Sequence, residues 1–406
     1  VEAGEKAGVE PGQEETVEAG EKAGVEPGQE ETVEAGERAG VEPGQEETVE
    51  AGKKAEIAIR ADGNADIGVG HLMRCLTIAE QTGERAHVVF WCADEASAAL
   101  VRERGYEALT LGTDYRDMAS ELPRLEALVH RGQEPGMILV DSYFVTEDYM
   151  RALGAYGRVY LLEDMPGHIW PVDGVINYNA FARRSRYEAA YGQSGENSPG
   201  TRLCIGASYA PLRPQFTGCD YQVNPQVREV LITTGGGDGE NIAGRILERL
   251  EDREFQIHVV SGPCNPHGAW LAGYAQAHSR VTVHQRVEDM AGLMLGCDLA
   301  VTAGGTTVYE LCALGVPFVC FSYAENQEAL TEYAGEQGIG LYAGKYHQDG
   351  AGTLERIGHL VRLAAADAKL RREMSRKAKT LVDGHGASRL ADALVEACYE
   401  STPVHV

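Results

Sequence analysis

The chain has no run of 18 or more consecutive apolar residues, the length a helix needs to cross a bilayer, so no membrane-spanning helix is expected. It lacks an excess of basic charge. Its 36 Lys and Arg face 62 Asp and Glu, giving a formal net charge of −26. Neutralising phosphates requires Lys and Arg in excess on some face, so nucleic acid is not an expected partner. No basic-then-apolar leader pattern opens the sequence. Nine cysteines are present, an odd number, scattered and with no Cys-x-x-Cys pair. That excludes a disulfide framework or a zinc knuckle and leaves reduced, buried thiols in a cytoplasmic protein as the expectation. What is present in quantity is apolar residue content: 43% of 406 residues, enough for two or three cored domains.

Residues 1–48 are three near-identical units of VEAGEKAGVEPGQEET, the third with Arg38 for Lys, and a fourth copy stops after VEAG. Each unit has five Glu against one basic residue and no aromatic residue. Such a segment cannot offset its ordering entropy by burial, so residues 1–52 are expected to be a disordered, solubilising extension outside the fold; a docking tail is the sharper alternative.

Beyond Glu56, β-branched runs alternate with amphipathic ones. Strands are expected at 57–61, 87–93, 107–111, 137–143, 158–164 and 173–179, with helical stretches at 71–84, 95–104 and 118–131 between them. After looser stretches at 182–200 and 217–227 the alternation resumes, with strands at 228–237, 255–262, 281–286, 298–305 and 317–323. Continuous apolar strands indicate parallel sheets covered on both faces. The expectation is an α/β chain with two doubly wound Rossmann-like domains, 53–220 and 221–406, facing a cleft; the second includes the terminal helices.

The stretch RADGNADIGVGHLMRC (60–75) holds the first candidate site. Asp62, Asn64 and Asp66 have the 1, 3, 5 spacing of a calcium loop, but Ile67 and Met73 stand where Gly and Glu are required. A dinucleotide turn finds Gly68 and Gly70 but Met73 in place of its third Gly; Asp94 is then the ribose acid, a weaker alternative. What remains is a Gly-rich strand-to-helix turn that sets His71 at a helix start facing the cleft. The helix end favours neutral imidazole, the form a general base needs; the competing reading is a capping or packing histidine.

In the second half, TAGGTTVYELCALGVP (302–317) is another such turn. Gly304, Gly305, Thr306 and Thr307 offer amides and hydroxyls at a helix N-terminus, an anion site suited to a diphosphate. Glu310 either accepts ribose hydroxyls or closes a capping box with Thr307. TTGGGDGENI (233–242), with Gly235 and Gly236, lacks the Gly-Lys-Ser/Thr of an ATPase loop and suits close approach of a phosphate or sugar, or is a tight turn capped by Asp238. Asn326 and Gln327, in AENQ, reach a bound sugar or cap the next helix. His168 is a second acid–base candidate or a loop histidine.

These segments, with LVDSY and ASYAPLRPQF, resemble the UDP-2,4-diacetamido-2,4,6-trideoxy-β-L-altropyranose hydrolase family of pseudaminic acid biosynthesis and its spore-coat polysaccharide relatives. The resemblance runs from about Ile57 to the C-terminal helices. It implies a glycosyltransferase-B-like fold and hydrolysis of a UDP-sugar. Inversion is expected, and no metal or other cofactor, since the helix-end amides can replace a divalent metal and no Asp-x-Asp is presented for one. His71 matches the proposed base, and Arg74 completes the Gly-x-Gly-His-x-x-Arg motif. Gly304, Gly305, Thr306, Glu310 and Asn326 fall on the nucleotide-sugar side, while Tyr143 and Asn177 fall near the sugar. The expected partner is the small-molecule UDP-sugar. A glycosyltransferase of the same fold and a non-catalytic nucleotide-sugar binding protein are the alternatives, with a dinucleotide oxidoreductase behind them.

Overall fold

A computed structural model describes residues 54–400 except 65–66, 133, 165–166, 193–199, 236, 251–253 and 263–264. The acidic repeats, Asp66 and Gly236 therefore lie outside the described residues.

Two parallel sheets organise the chain. The first contains β1 (Ala55–Ala61), β2 (Ala86–Cys92), β3 (Glu107–Thr110), β4 (Met137–Asp141), β5 (Arg158–Leu162), β6 (Gly174–Asn177) and β7 (Arg202–Ile205), in the order β3-β2-β1-β4-β5-β6-β7. The second contains β8 (Glu229–Thr233), β9 (Gln256–Ser261), β10 (Val281–Gln285), β11 (Leu299–Ala303), β12 (Phe318–Ser322) and β13 (Leu341–Lys345), in the order β10-β9-β8-β11-β12-β13. Both are the doubly wound arrangement that the alternation predicts. The strand order reverses between β1 and β4 and again between β8 and β11, and ligands of such sheets sit at the strand carboxyl ends beside that reversal.

Helices cover both faces. They are α1 (Gly70–Thr82), α2 (Glu95–Glu103), α3 (Leu122–Val129), α4 (Glu147–Leu153) and α5 (Arg184–Gly192), then α6 (Ile242–Leu250), α7 (Gly268–Ala277), α8 (Met290–Leu295), α9 (Thr306–Leu314) and α10 (Glu328–Gln337), and finally α11 (Gly350–Ala366), α12 (Ala368–Leu381) and α13 (Gly386–Tyr399). The central strands are mostly apolar because neither face meets water: all five residues of β4, β11 and β12 are buried, and only Asp141, Thr302 and Ser322 among them are polar.

Three features depart from the sequence expectation. Strands β7 and β13 lie at sheet edges, where only one neighbour pairs with them, and their short mixed sequences RLCI and LYAGK carry little apolar pattern. The stretch expected to be loose holds α5, anchored by buried Tyr187 and Tyr191. The last helix, expected with the second domain, packs on the first sheet. Its Leu390, Ala393, Leu394 and Ala397 join one core with Ile57, Leu72, Cys75 and Leu76. Full burial of each leucine contributes about 1.5–3 kcal/mol. Conversely, Ala207, Ala210, Leu212 and Phe216 of the connecting segment sit in the core of the second sheet, so the chain crosses between the two twice. No helix among the described residues is long and apolar enough to cross a membrane.

Candidate active site

The turn after β1 is held by the polar residues that looked like metal ligands. Asp62 accepts a hydrogen bond from Arg60 and another from the Ala93 amide at 2.7 Å. Asn64 accepts from the Ile67 amide at 3.2 Å and donates to Asp94 at 2.9 Å. Asp94 also caps α2 through the Ser97 amide, so both its acid oxygens serve the scaffold and the ribose-acid alternative loses its residue. Gly68 has φ +74°, a left-handed backbone that a side chain would strain, and this bend brings the chain into α1.

His71 is the second residue of α1, and its Nδ1 lies 2.6 Å from Oδ1 of Asp141, the last residue of β4. The pair therefore spans the reversal point of the first sheet. Arg74, one turn further along α1, donates from Nε and Nη2 to the two Asp141 oxygens, both at 2.6 Å. It also reaches Asp164 at 3.0 Å and the Tyr178 hydroxyl at 2.9 Å. Burial alone would raise the Asp141 carboxyl, but Arg74 and then His71 outweigh it and hold it down to about 2. Asp141 is thus an ionised buried acid that fixes the imidazole through Nδ1. The Tyr143 hydroxyl donates to Asp164 at 2.8 Å, and its ring packs edge-on against His71 at 4.7 Å between centroids.

A cavity of about 520 Å³ opens in front of this cluster. Gly70, His71, Arg74, Tyr143 and Tyr178 line it from the first domain, and Thr306, Tyr309, Glu310 and Asn326 from the second. Residues 210–213 of the connecting segment close one side. Thr306 opens α9 directly after β11, at the reversal point of the second sheet, so the positive end of that helix faces the cavity. Glu310 is held by Arg213 at 3.7 Å. Burial raises its carboxyl against the opposing pull of Arg213 and of a hydrogen bond with Thr307. Because α9 starts at Thr306, Thr307 lies inside the helix and is not its capping residue.

Several expected residues stand elsewhere. Asn177 is fully buried; it donates to Tyr187 at 2.8 Å and accepts from the Asn179 amide at 3.0 Å, so it braces the loop behind the cavity. The Gly304 amide donates to the Phe321 carbonyl at 2.9 Å and is not offered to a ligand. Glycine is required there because a Cβ would come within 2.6 Å of Thr331 and 2.9 Å of Gln327. Gln327 accepts from the Tyr323 amide at 2.9 Å and serves the turn before α10. Gly305 is open, with nothing within 4 Å of a notional Cβ, and so is Gly235, whose φ is +93°. Asp238 accepts from the Ile242 and Ala243 amides and caps α6. His168 pairs with Glu147 at 3.0 Å on the surface. Arg74 lines the cavity, yet most of its donors go to the acid cluster.

Sequence reasoning missed Asp141, Asp164, Tyr178, Tyr309 and Arg213. Two carried a signal, since LVDSY and LLED each end an apolar strand in an acid, the position from which an α/β fold presents functional groups.

No family model matches the chain. It is 26% identical over 355 residues to the spore coat polysaccharide biosynthesis protein SpsG of Bacillus subtilis, covering 85% of this chain and 98% of that protein. It is 25% identical over 291 residues to the UDP-2,4-diacetamido-2,4,6-trideoxy-β-L-altropyranose hydrolase of Campylobacter jejuni, covering 70% of this chain and 97% of that enzyme. The chain is a homologue of both. Among solved structures, MurG of Acinetobacter baumannii superimposes with a TM-score of 0.58 at 15% identity, over 84% of this chain and 99% of that one. A UDP-glucosyltransferase of Polygonum tinctorium does so with a TM-score of 0.60 at 14% identity, over 86% of this chain and 100% of that one. The fold is the glycosyltransferase-B fold, as the resemblance implied.

Proposed function

We propose that the protein hydrolyses a UDP-linked diacetamido-trideoxy hexose to the free sugar and UDP, as the name of its Campylobacter homologue describes, in a pathway of the pseudaminic acid type. The observation that carries this reading is the His71–Asp141 pair at 2.6 Å, facing the start of α9 across a shared cavity. Asp141 accepts a hydrogen bond from Nδ1–H of His71, which fixes the tautomer that leaves Nε2 free as the base. A water gives its proton to Nε2 as its oxygen bonds to the anomeric carbon. The carbon–oxygen bond to the diphosphate breaks on the opposite face, and UDP leaves with the bonding pair. Such base assistance is typically worth about 10²–10⁴-fold. Asp141 stabilises the imidazolium that forms. The growing charge on the diphosphate meets the N-terminus of α9, the Thr306 hydroxyl and the Arg213 guanidinium. Glu310 is suited to the ribose hydroxyls once Arg213 turns to the phosphates.

The test is UDP release from that UDP-sugar with no acceptor present, for the wild type and for His71→Ala. Rapid release that the substitution abolishes supports the hydrolase. A second reading, transfer to a sugar or lipid acceptor, is favoured by a 31% identity over 130 residues to a UDP-N-acetylglucosamine transferase of Xanthomonas axonopodis, covering 31% of this chain and 30% of that enzyme. UDP binding without release in the absence of acceptor would select it.

A further inference from the structure

Two neighbouring strands of the first sheet deliver an acid to the same arginine. Asp141 ends β4, and Asp164 lies two residues beyond the end of β5, which pairs in parallel with β4. Arg74 binds both. Its Nε and Nη2 donate to Asp141 at 2.6 Å, and its Nη1 and Nη2 donate to Asp164 at 3.0 and 3.1 Å. Asp164 is fixed further by the Tyr143 hydroxyl at 2.8 Å and, through its carbonyl, by Asn179 at 3.3 Å. Yet it lines neither the main cavity nor the smaller pocket of about 210 Å³ beside His71. It is placed to act on a reaction there only through its neighbours.

The use of a second acid lies in the charges around His71. The Arg74 guanidinium stands 3.2 Å from Nδ1 of His71. Were Arg74 and Asp141 alone, their charges would cancel, and an imidazolium would form against a guanidinium with no anion left over to offset it. With Asp164, two acids face one guanidinium, and the negative charge left over is the one an imidazolium neutralises. The other groups around His71 leave this balance alone. Burial raises the Tyr143 and Tyr178 hydroxyls, so both stay neutral. Burial and then Asp141 push up the Cys75 thiol, which donates to Asp141 at 3.5 Å. Asp62 is paired with Arg60, which also binds Glu121, and Glu310 is paired with Arg213 across the cavity. We infer that Asp164 is a positioning residue for the proton transfer: through Arg74 it supplies the negative charge that lets His71 hold the proton taken from water. This role rests on His71 being the base of the proposed hydrolysis.

Proton–nitrogen NMR of the labelled full chain follows His71 across pH with no substrate present, its signals assigned by their loss in His71→Ala. Asp164→Asn keeps the shape of the side chain and removes its charge. The midpoint of the His71 titration is expected to fall by about one pH unit in that variant. Its turnover is expected to fall about three- to tenfold, with the acid limb of the pH profile moving down alongside the midpoint and UDP affinity unchanged. Arg74→Gln is expected to move the midpoint the other way, because both acids remain and the guanidinium is gone. The double variant has the wild-type charge balance again, so its midpoint is expected to return close to the wild-type value. A purely structural role for Asp164 would not produce that return, and the double variant decides the matter if Asp164→Asn alone fails to fold. Coincident midpoints in the wild type and Asp164→Asn, or a double variant that does not return, overturn the inference. A midpoint that moves as expected while UDP release ignores both Asp164→Asn and His71→Ala overturns the base reading instead, and the role of Asp164 falls with it.

Discussion

His71 and Asp141 are 70 residues apart in sequence, yet Nδ1 and Oδ1 lie 2.6 Å apart because β1 and β4 are neighbours at the point where the first sheet reverses its order. The acid orients the ring, and the ring presents its other nitrogen to the cavity. Replacing His71 by Ala is expected to lower kcat by about 10²–10⁴-fold, with UDP affinity nearly unchanged. Stopped turnover followed by UDP detection, alongside a UDP titration, checks both halves. Near-normal turnover in the variant would remove His71 from the mechanism.

The Asp141 carboxyl is held at about 2 in the folded protein, below its value of about 3.9 in an unfolded chain. A group shifted in this direction contributes stability that is fully present above the unfolded value. That contribution, about 2 kcal/mol, is lost as pH falls through 4 toward 2. The wild-type Tm is therefore expected to drop across that window. Asp141→Asn is expected to start lower at neutral pH and to drop by less. Parallel Tm–pH curves for the two proteins would contradict it.

Glu310 and Arg213 meet at 3.7 Å at the edge of the cavity. If Glu310 binds the ribose, Glu310→Gln should weaken UDP by about tenfold, because hydrogen bonds to a charged group are worth more than neutral ones. Arg213→Ala should weaken UDP more than uridine, since its partner is the diphosphate. Comparing UDP with uridine for both variants separates the two roles.

Gly304 and Gly305 are adjacent but do different work. A methyl at Gly304 would press on Thr331 and Gln327, whereas a methyl at Gly305 would meet nothing within 4 Å. Gly304→Ala is expected to cost about 1–3 kcal/mol of stability, the usual range for overpacking. Gly305→Ala should leave the Tm unchanged and show its effect only in ligand affinity. Thermal melts with and without UDP distinguish them.

Much of the fold is legible in the chain. Apolar runs such as MILV and FVCF are continuous because both their faces are covered, and that pattern survives without any knowledge of neighbours. The edge strands RLCI and LYAGK are not legible, because a single-sided, half-exposed strand leaves no such mark. At the site, His71, Thr306 and Glu310 are readable from glycine-rich turns at strand ends and Asn326 from the segment that follows β12, while Tyr143 is implied by the family resemblance; all of them line the cavity. Asn177, implied by the same resemblance, turns inward to Tyr187.

By itself, then, the sequence determined which turns sit at strand ends and which helices start there, since these follow from local backbone chemistry and hydrophobic period. Only the tertiary structure decided that Asp141 meets His71, that Arg74 is committed to two acids, that Gly304 is a packing residue and that α13 returns to the first sheet. Each of those depends on which strands are neighbours and which apolar faces meet. Burial between distant segments sets such pairings, and no local pattern along the chain encodes them.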